Sequence, residues 1–197
     1  MWCCCINKNK SNYATHETNT DTEQKEKTVE EDFVSFCNGD DVKMMPKSTF
    51  AGYKCWGYVT DVYDGDTVTL AFKYGGTVLK HPFRLLGFDA PEMKPLTTIP
   101  FRSVHIQAAH VARDKLKELL ATYKNFVVVL FDKNEKYGRT MGTLWTGHIP
   151  THETDSFEMA TININEWCIE RGFGLAYDGG TKKDFTETQL RQIIIGT

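Results

Sequence analysis

YKCWGYVTDVYDGDTVTLAFKYGGTVLKHPFRLLGFDAP, residues 53–91, is three short runs of strand character joined by two turn signals. Residues 53–63 read as a first strand. The Asp64-Gly65 dipeptide that follows is a strong hairpin signal. A second strand alternates Val68, Leu70 and Phe72 on one face with Thr67, Thr69 and Ala71 on the other, the period of a half-buried ladder. Gly75-Gly76 supplies the next turn. A third strand over 79–88 ends at Asp89-Ala90-Pro91, because proline has no N–H to give a ladder. Three consecutive strands joined this way form a meander.

Outward from this stretch, a helix is predicted over 104–120. Its apolar residues Ile106, Ala109, Ala112, Leu116, Leu119 and Leu120 fall on one stripe at helical spacing. His105 and His110 lie beside the stripe and read as helix-surface or edge histidines. Residues 125–131 and 140–145 are further apolar strands. A second helix is expected over 162–171, stopped by Gly172, and a third over 186–194. Five short strands with helices inserted late predict an α+β chain built on a small closed or nearly closed β-barrel with about three α-helices.

The remaining composition sets limits. The chain has 197 residues, 41% hydrophobic and 25% charged, which is ordinary for a globular protein with a sizeable core. No apolar run approaches the roughly 18 residues of a membrane-spanning helix, so membrane-spanning, collagenous and coiled-coil classes are excluded. The net charge of −3 is unevenly spread: residues 1–50 hold nine acidic residues against six lysines, and the rest is balanced. Any affinity for nucleic acid must therefore come from a local basic site and not from bulk charge. Residues 1–48 read as a flexible polar and acidic arm, too poor in apolar residues to offset the entropy of ordering. The domain proper is expected over 50–195.

Cysteine usage points to a reducing, intracellular compartment. Cys3, Cys4 and Cys5 are adjacent and cannot build a disulfide framework; Cys37, Cys55 and Cys168 are scattered without metal-ligand spacing. The apolar start is too short for a signal peptide. A cysteine cluster followed by Lys8 and Lys10 can be acylated, which would give a membrane tether and not a span; the plainer reading is three exposed thiols.

Three clusters carry chemistry. Asp64-Gly65-Asp66-Thr67 lies at the first hairpin and, taken alone, reads as an ordinary turn. Residues 84–92, RLLGFDAPE, place an arginine inside an apolar strand, where a charge is costly without a partner. Two carboxylates, Asp89 and Glu92, follow at the strand end; an edge arginine paired with Asp89 is the structural alternative. Lys136-Tyr137-Gly138-Arg139 precedes the last strand and alone is a solvated hairpin. In combination the logic sharpens. Two aspartates are hard oxygen ligands suited to Ca2+ or Mg2+, two arginines can grip a phosphate, and Glu92 can take a proton from water or hold that water in line.

On these runs the sequence resembles the staphylococcal nuclease (thermonuclease) family, an OB-fold domain with a Ca2+-dependent phosphodiesterase site. The matching stretches are DGDT at 64–67, RLL-x-x-D-x-PE at 84–92 and KYGR at 136–139, supported by Ile164-Asn165-Glu166 and residues 172–177. The resemblance implies a hydrolase, an endonuclease acting on DNA, RNA or both with low sequence specificity. It implies that Asp66 and Asp89 hold one Ca2+ by their side chains and Ala90 by its carbonyl, with Mg2+ less favoured. Arg84 would bind the scissile phosphate, Arg139 would clamp it near the leaving oxygen, and Glu92 would act on the attacking water. Lys136 and Tyr137 would touch a terminal phosphate or nucleotide, and Tyr177 would pack on a base. A monomer is expected.

Departures from the family pattern are local. Ala90 stands where the best-known members have threonine, but only its carbonyl is required. Glu135 replaces a frequent aspartate, and residues 93–103 do not match closely. Lys182 and Lys183 read either as contacts to a nucleic-acid backbone or as solvated lysines. The rival reading is a catalytically silent OB-fold module that binds nucleic acid or protein; such a module has no need of all five side chains at 66, 84, 89, 92 and 139. Deleting residues 1–48 is expected to leave the melting temperature nearly unchanged in calorimetry, and a fall of many degrees would show that the arm contributes to the core.

Overall fold

The computed structural model describes residues 50–134, 138–180 and 182–196. The arm with Cys3, Cys4 and Cys5, and the predicted substrate contacts Lys136 and Tyr137, lie outside the described residues.

The meander forms as the alternation requires. β1 (Lys54–Val62) pairs antiparallel with β2 (Thr67–Tyr74), and β2 with β3 (Thr77–Leu85). Tyr74 faces Thr77 across a two-residue loop in which Gly75 and Gly76 both have positive φ, 55° and 81°, the primed turn that matches strand twist. Two further strands of the barrel are β5 (Phe126–Asn134) beside β1 and β6 (Thr140–Thr146) beside β5, both antiparallel. The ring then closes by a parallel seam, Phe83 against Thr140 through Leu85 against Gly142, between β3 and β6. The result is a closed five-stranded mixed barrel, the OB-fold architecture with helices that the sequence predicted. Irregular register between Val59 and Asp61, and between Phe131 and Lys133, bends β1 and β5 around the barrel.

The inward faces of the strands supply Val59, Leu70, Phe72, Phe83, Leu85, Val127, Val129, Phe131 and Leu144, all buried. α1 (Arg102–Thr122) covers this core with Ala108, Ala109, Ala112, Leu116 and Leu120, and α3 (Glu187–Ile195) packs against α1 through Leu190 and Ile193. At α3 the capping box is complete: the Thr186 hydroxyl accepts from the Gln189 backbone and the Gln189 side chain accepts from the Thr186 backbone.

Several boundaries differ from expectation, each for a local reason. The third strand stops at Leu85, not 88, because Leu86-Gly87 turns the chain, Gly87 having φ 80°. Phe88–Asp89 becomes a separate short strand, β4, laddered to β8 (Leu175–Ala176). The second helix, α2 (Ile164–Glu170), starts two residues late because Ile162–Asn163 forms β7 beside β6, and Asn163 is then spent as the N-cap. On α1 the buried stripe takes Ala108, whereas Ile106 and Leu119 are only half-buried. Gly65 reads in the sequence as a turn former, yet its φ is not in the positive range. It is small for another reason: a Cβ there would lie 2.7 Å from the Ala90 Cβ and 3.1 Å from the Ala112 Cβ. That close approach brings the first hairpin, the end of β4 and α1 together.

One buried side chain fixes the turn that leads into β4. Asn165 accepts from the Leu144 N–H at 3.1 Å and donates to the Leu86 carbonyl at 2.8 Å and the Gly142 carbonyl at 3.0 Å. It thus staples α2 to the parallel seam and to the 86–87 turn. Asn165→Leu keeps the volume but removes three hydrogen bonds, those of the Leu144 N–H, the Leu86 carbonyl and the Gly142 carbonyl, the last of which still accepts the Leu86 N–H. At about 1 kcal/mol or more for each lost bond, we expect a loss of about 3 kcal/mol or more in urea unfolding; an unchanged midpoint would refute the staple.

Candidate active site

The first hairpin delivers Asp66, whose own backbone is locked in two places. Its N–H donates to Asp64 Oδ1 at 3.2 Å, and its carbonyl accepts from the Leu85 N–H at 2.8 Å. Across the ladder Thr67 sits opposite Arg84. Arg84 therefore emerges from β3 directly beside the hairpin, and the 86–87 turn folds Asp89 back onto it. Arg84 Nη2 lies 2.7 Å from Asp66 Oδ2 and 2.7 Å from Asp89 Oδ1, and Nη1 donates to Asp66 Oδ1 at 3.0 Å. All three side chains are buried, with exposures of 7%, 2% and 4% for Arg84, Asp66 and Asp89. The sequence offered an edge arginine paired with Asp89 as the structural alternative; that ion pair exists, but Arg84 is also paired with Asp66.

Further polar groups converge on these three side chains. The Ala90 N–H donates to Asp66 Oδ2 at 3.2 Å, and the Thr67 hydroxyl donates to Asp66 Oδ1 at 2.8 Å. Arg139, entering β6, donates to the Thr67 hydroxyl at 3.3 Å. Burial, and then the charge of Asp64, push the Asp66 carboxyl up from its ordinary value, against the opposing pull of Arg84 and Thr67.

Glu92 stands at the rim. Burial would raise its carboxyl, but the hydrogen bond and charge of Lys182, with Arg84 and His105 behind, outweigh it and hold Glu92 below the usual range. Lys182 Nζ lies 2.5 Å from Glu92 Oε1 and 3.0 Å from Asp89 Oδ1. The backbone N–H of Glu92 donates to His105 Nε2 at 2.9 Å. A cavity of about 250 Å³ gathers Asp66, Arg84, Glu92, Arg139, Tyr177 and Lys182. Asp89 lies outside its lining and borders two neighbouring cavities. Tyr177 is held at the edge, its hydroxyl donating to the Gly180 carbonyl at 2.9 Å and its N–H to the Gly87 carbonyl at 3.0 Å.

A sequence model of staphylococcal nuclease homologues matches residues 82–193. The chain belongs to the staphylococcal nuclease family. The family match includes Arg84, Asp89, Glu92 and Arg139 and begins after Asp66, which the barrel nonetheless carries to the same cavity. No curated protein matches the chain.

Among the described residues no three His, Cys, Asp or Glu side chains converge on one point as a ready cation cage. What the chain offers instead is a pair of buried carboxylates meeting at one Arg84 nitrogen. Hard oxygen donors of this type are the kind that Ca2+ or Mg2+ takes. No helix among the described residues is long and apolar enough to cross a membrane.

Two participants escaped the sequence reading. His105 is not a surface or edge residue: it is buried, at 8% exposure, and its ring accepts the Glu92 N–H. Its place on the first turn of α1, next to the apolar stripe, was the available signal. His110 is exposed as expected. Lys182, read as a backbone contact or a solvated lysine, is an ion-pair partner of both Asp89 and Glu92.

Burial lowers the His105 pKa from its ordinary 6.5, Lys182 adds to this, and Glu92, Asp89 and Asp184 oppose it. The unfolded chain therefore binds this proton at higher pH than the folded one. The contribution of neutral His105 to stability is present above about 6.5 and is lost as pH falls through the folded-state value. Melting temperature followed from about pH 7 to about pH 5 should fall more steeply in the wild type than in His105→Gln; equal slopes would contradict the assignment.

Proposed function

We propose that the chain is a Ca2+-dependent phosphodiesterase that hydrolyses DNA, RNA or both with low sequence specificity. The observation that carries this reading is the meeting of Arg84, Arg139 and Glu92 in one cavity beside two buried aspartates. Asp66 and Asp89, with the Ala90 carbonyl, would hold the cation. Bound there, a divalent cation supplies Lewis-acid polarisation of a phosphoryl oxygen.

The protein's own groups account for the rest. Arg84 is clamped at both terminal nitrogens by carboxylates, so its plane is set before substrate arrives. Such a preorganised cation costs no reorganisation when charge builds on the phosphoryl oxygens. Arg139, steadied by Thr67, grips the same phosphate from the β6 side and offsets charge on the leaving oxygen. Glu92 is held ionised by Lys182 in the resting site and fixed in the backbone by His105. It accepts a proton from the attacking water, or orients that water, as the new P–O bond forms and the ester P–O bond breaks; the departing alkoxide takes a proton from solvent. Tyr177 offers an aromatic face at the edge of the cavity. Stacking there is worth roughly 1–3 kcal/mol for any base, which supports low specificity. Lys136 and Tyr137 would add contacts to a neighbouring phosphate or nucleotide.

The test is cleavage of single-stranded DNA and of RNA by the purified full chain with Ca2+, with Mg2+ and with chelator. We expect Ca2+-dependent cleavage, reduced about 10²–10⁴-fold by Glu92→Gln. Arg84→Ala should cost about 3–4 kcal/mol of transition-state stabilisation. Oligonucleotide binding without cleavage under every condition would replace this reading with that of a silent binding module.

A further inference from the structure

Lys182 belongs to the segment between β8 and α3, and its side chain is 44% exposed, yet its ammonium turns inward onto two carboxylates. The phosphodiesterase chemistry above has no step that calls for a primary amine between Asp89 and Glu92. Nor is this a general drift of a basic segment toward an acidic site. Lys183, the next residue, is exposed and makes no ion pair with a described residue. The contact is also selective in its oxygens: Lys182 shares Asp89 Oδ1 with Arg84 and reaches Glu92 Oε1 at the same time.

We propose that Lys182 is a resident counter-cation that sets the affinity of the site for a divalent cation. It neutralises Asp89 and Glu92 while no cation is bound, and an incoming cation must displace it. This rests on the reading of Asp66 and Asp89 as ligands. Arg84 and Lys182 already meet at Asp89 Oδ1. A divalent cation on the same carboxylate would be a third positive centre there, and its repulsion is relieved when one of the two side chains leaves. Arg84 is the wrong one to move, being planar, buried and held by two aspartates. Lys182 is built for it: a compact charge on a flexible four-carbon stem, with an open path to solvent.

Two consequences follow from the shared contact. Cation affinity is lower than the two carboxylates alone would give, because an internal competitor has to be expelled. Displacement also frees Asp89 and Glu92 in one event, so the carboxylate that acts on water becomes available when the cation arrives and not before. In the cation-free protein Lys182 relieves carboxylate repulsion, so removing it should weaken that form only.

Calorimetric titration of Ca2+ into the full chain tests this without reference to turnover. Lys182→Met should bind Ca2+ about tenfold tighter than wild type or more, a gain of about 1.4 kcal/mol. Lys182→Arg, which keeps the charge, should stay near wild type. Lys183→Met makes the same change in net charge one residue away and should shift affinity by no more than about twofold. The melting temperature of Lys182→Met should lie below wild type in chelator and reach it in saturating Ca2+. If wild type binds Ca2+ and Lys182→Met binds it no tighter, or if Lys183→Met gains as much, the counter-cation is overturned and the ligand reading stands. If wild type itself takes up no Ca2+, the ligand reading falls and this inference with it.

Discussion

Everything at the site hangs on the placing of one guanidinium inside a barrel wall. A buried arginine is tolerable only when its charge and its N–H groups are met, and Arg84 is met by Asp66 from one side and Asp89 from the other. These partners come from separate turns, so the ion pairs do more than neutralise: they tie the first hairpin to the strand after the 86–87 turn. Removing either carboxylate would leave a buried cation half-paired, and removing Arg84 would leave two buried anions facing each other. The geometry that would serve phosphate chemistry is thus the same geometry that makes the barrel wall electrostatically tolerable.

The fold supports that arrangement from outside. Gly65 lets the hairpin sit against Ala90 and Ala112, and Asn165 holds the turn before Asp89. His105 then fixes the backbone at Glu92 from α1. Three elements distant in sequence therefore each position one part of the site. Arg84 and Asp89 sit on strands and Asp66 and Arg139 immediately before them, while the segment bearing Lys182 is exposed.

Much of this was legible in the sequence because the signals were local. Alternation in 67–72, the paired glycines at 75–76 and the apolar stripe of α1 each announce their element through side-chain periodicity or turn chemistry. Asp66, Arg84, Glu92 and Arg139 could be grouped from the sequence because the spacing of their clusters matches a known family pattern, and these four line one cavity. What was not legible depended on packing between distant segments. Gly65 looks like a turn residue until Ala90 and Ala112 are seen against it. His105 looks like an edge histidine until the Glu92 backbone arrives from the preceding loop. Lys182 is 90 residues from Glu92, and no local rule points one at the other. The split of the third strand at Leu86 needed the β8 partner and the Asn165 staple, neither of which is visible from the strand itself.

The parallel seam between β3 and β6 has a kinetic meaning. The hairpin-linked neighbours β1–β2 and β2–β3 can zip from their turns, but Phe83 meets Thr140 only after the intervening chain, α1 and β5 included, has been laid down, and β1 meets β5 across a similar span. The loop-closure entropy of that seam is lost before any of its contacts form, which places the barrel among slow-folding topologies. Arg84 lies in the middle of the seam, opposite Met141, which is two residues after Arg139. A partly folded chain can therefore hold the hairpin with Asp66 and still lack the two-arginine cleft. The gathering of Arg84 and Arg139 in one cavity depends on closure of the ring, a long-range event, and not on either hairpin alone.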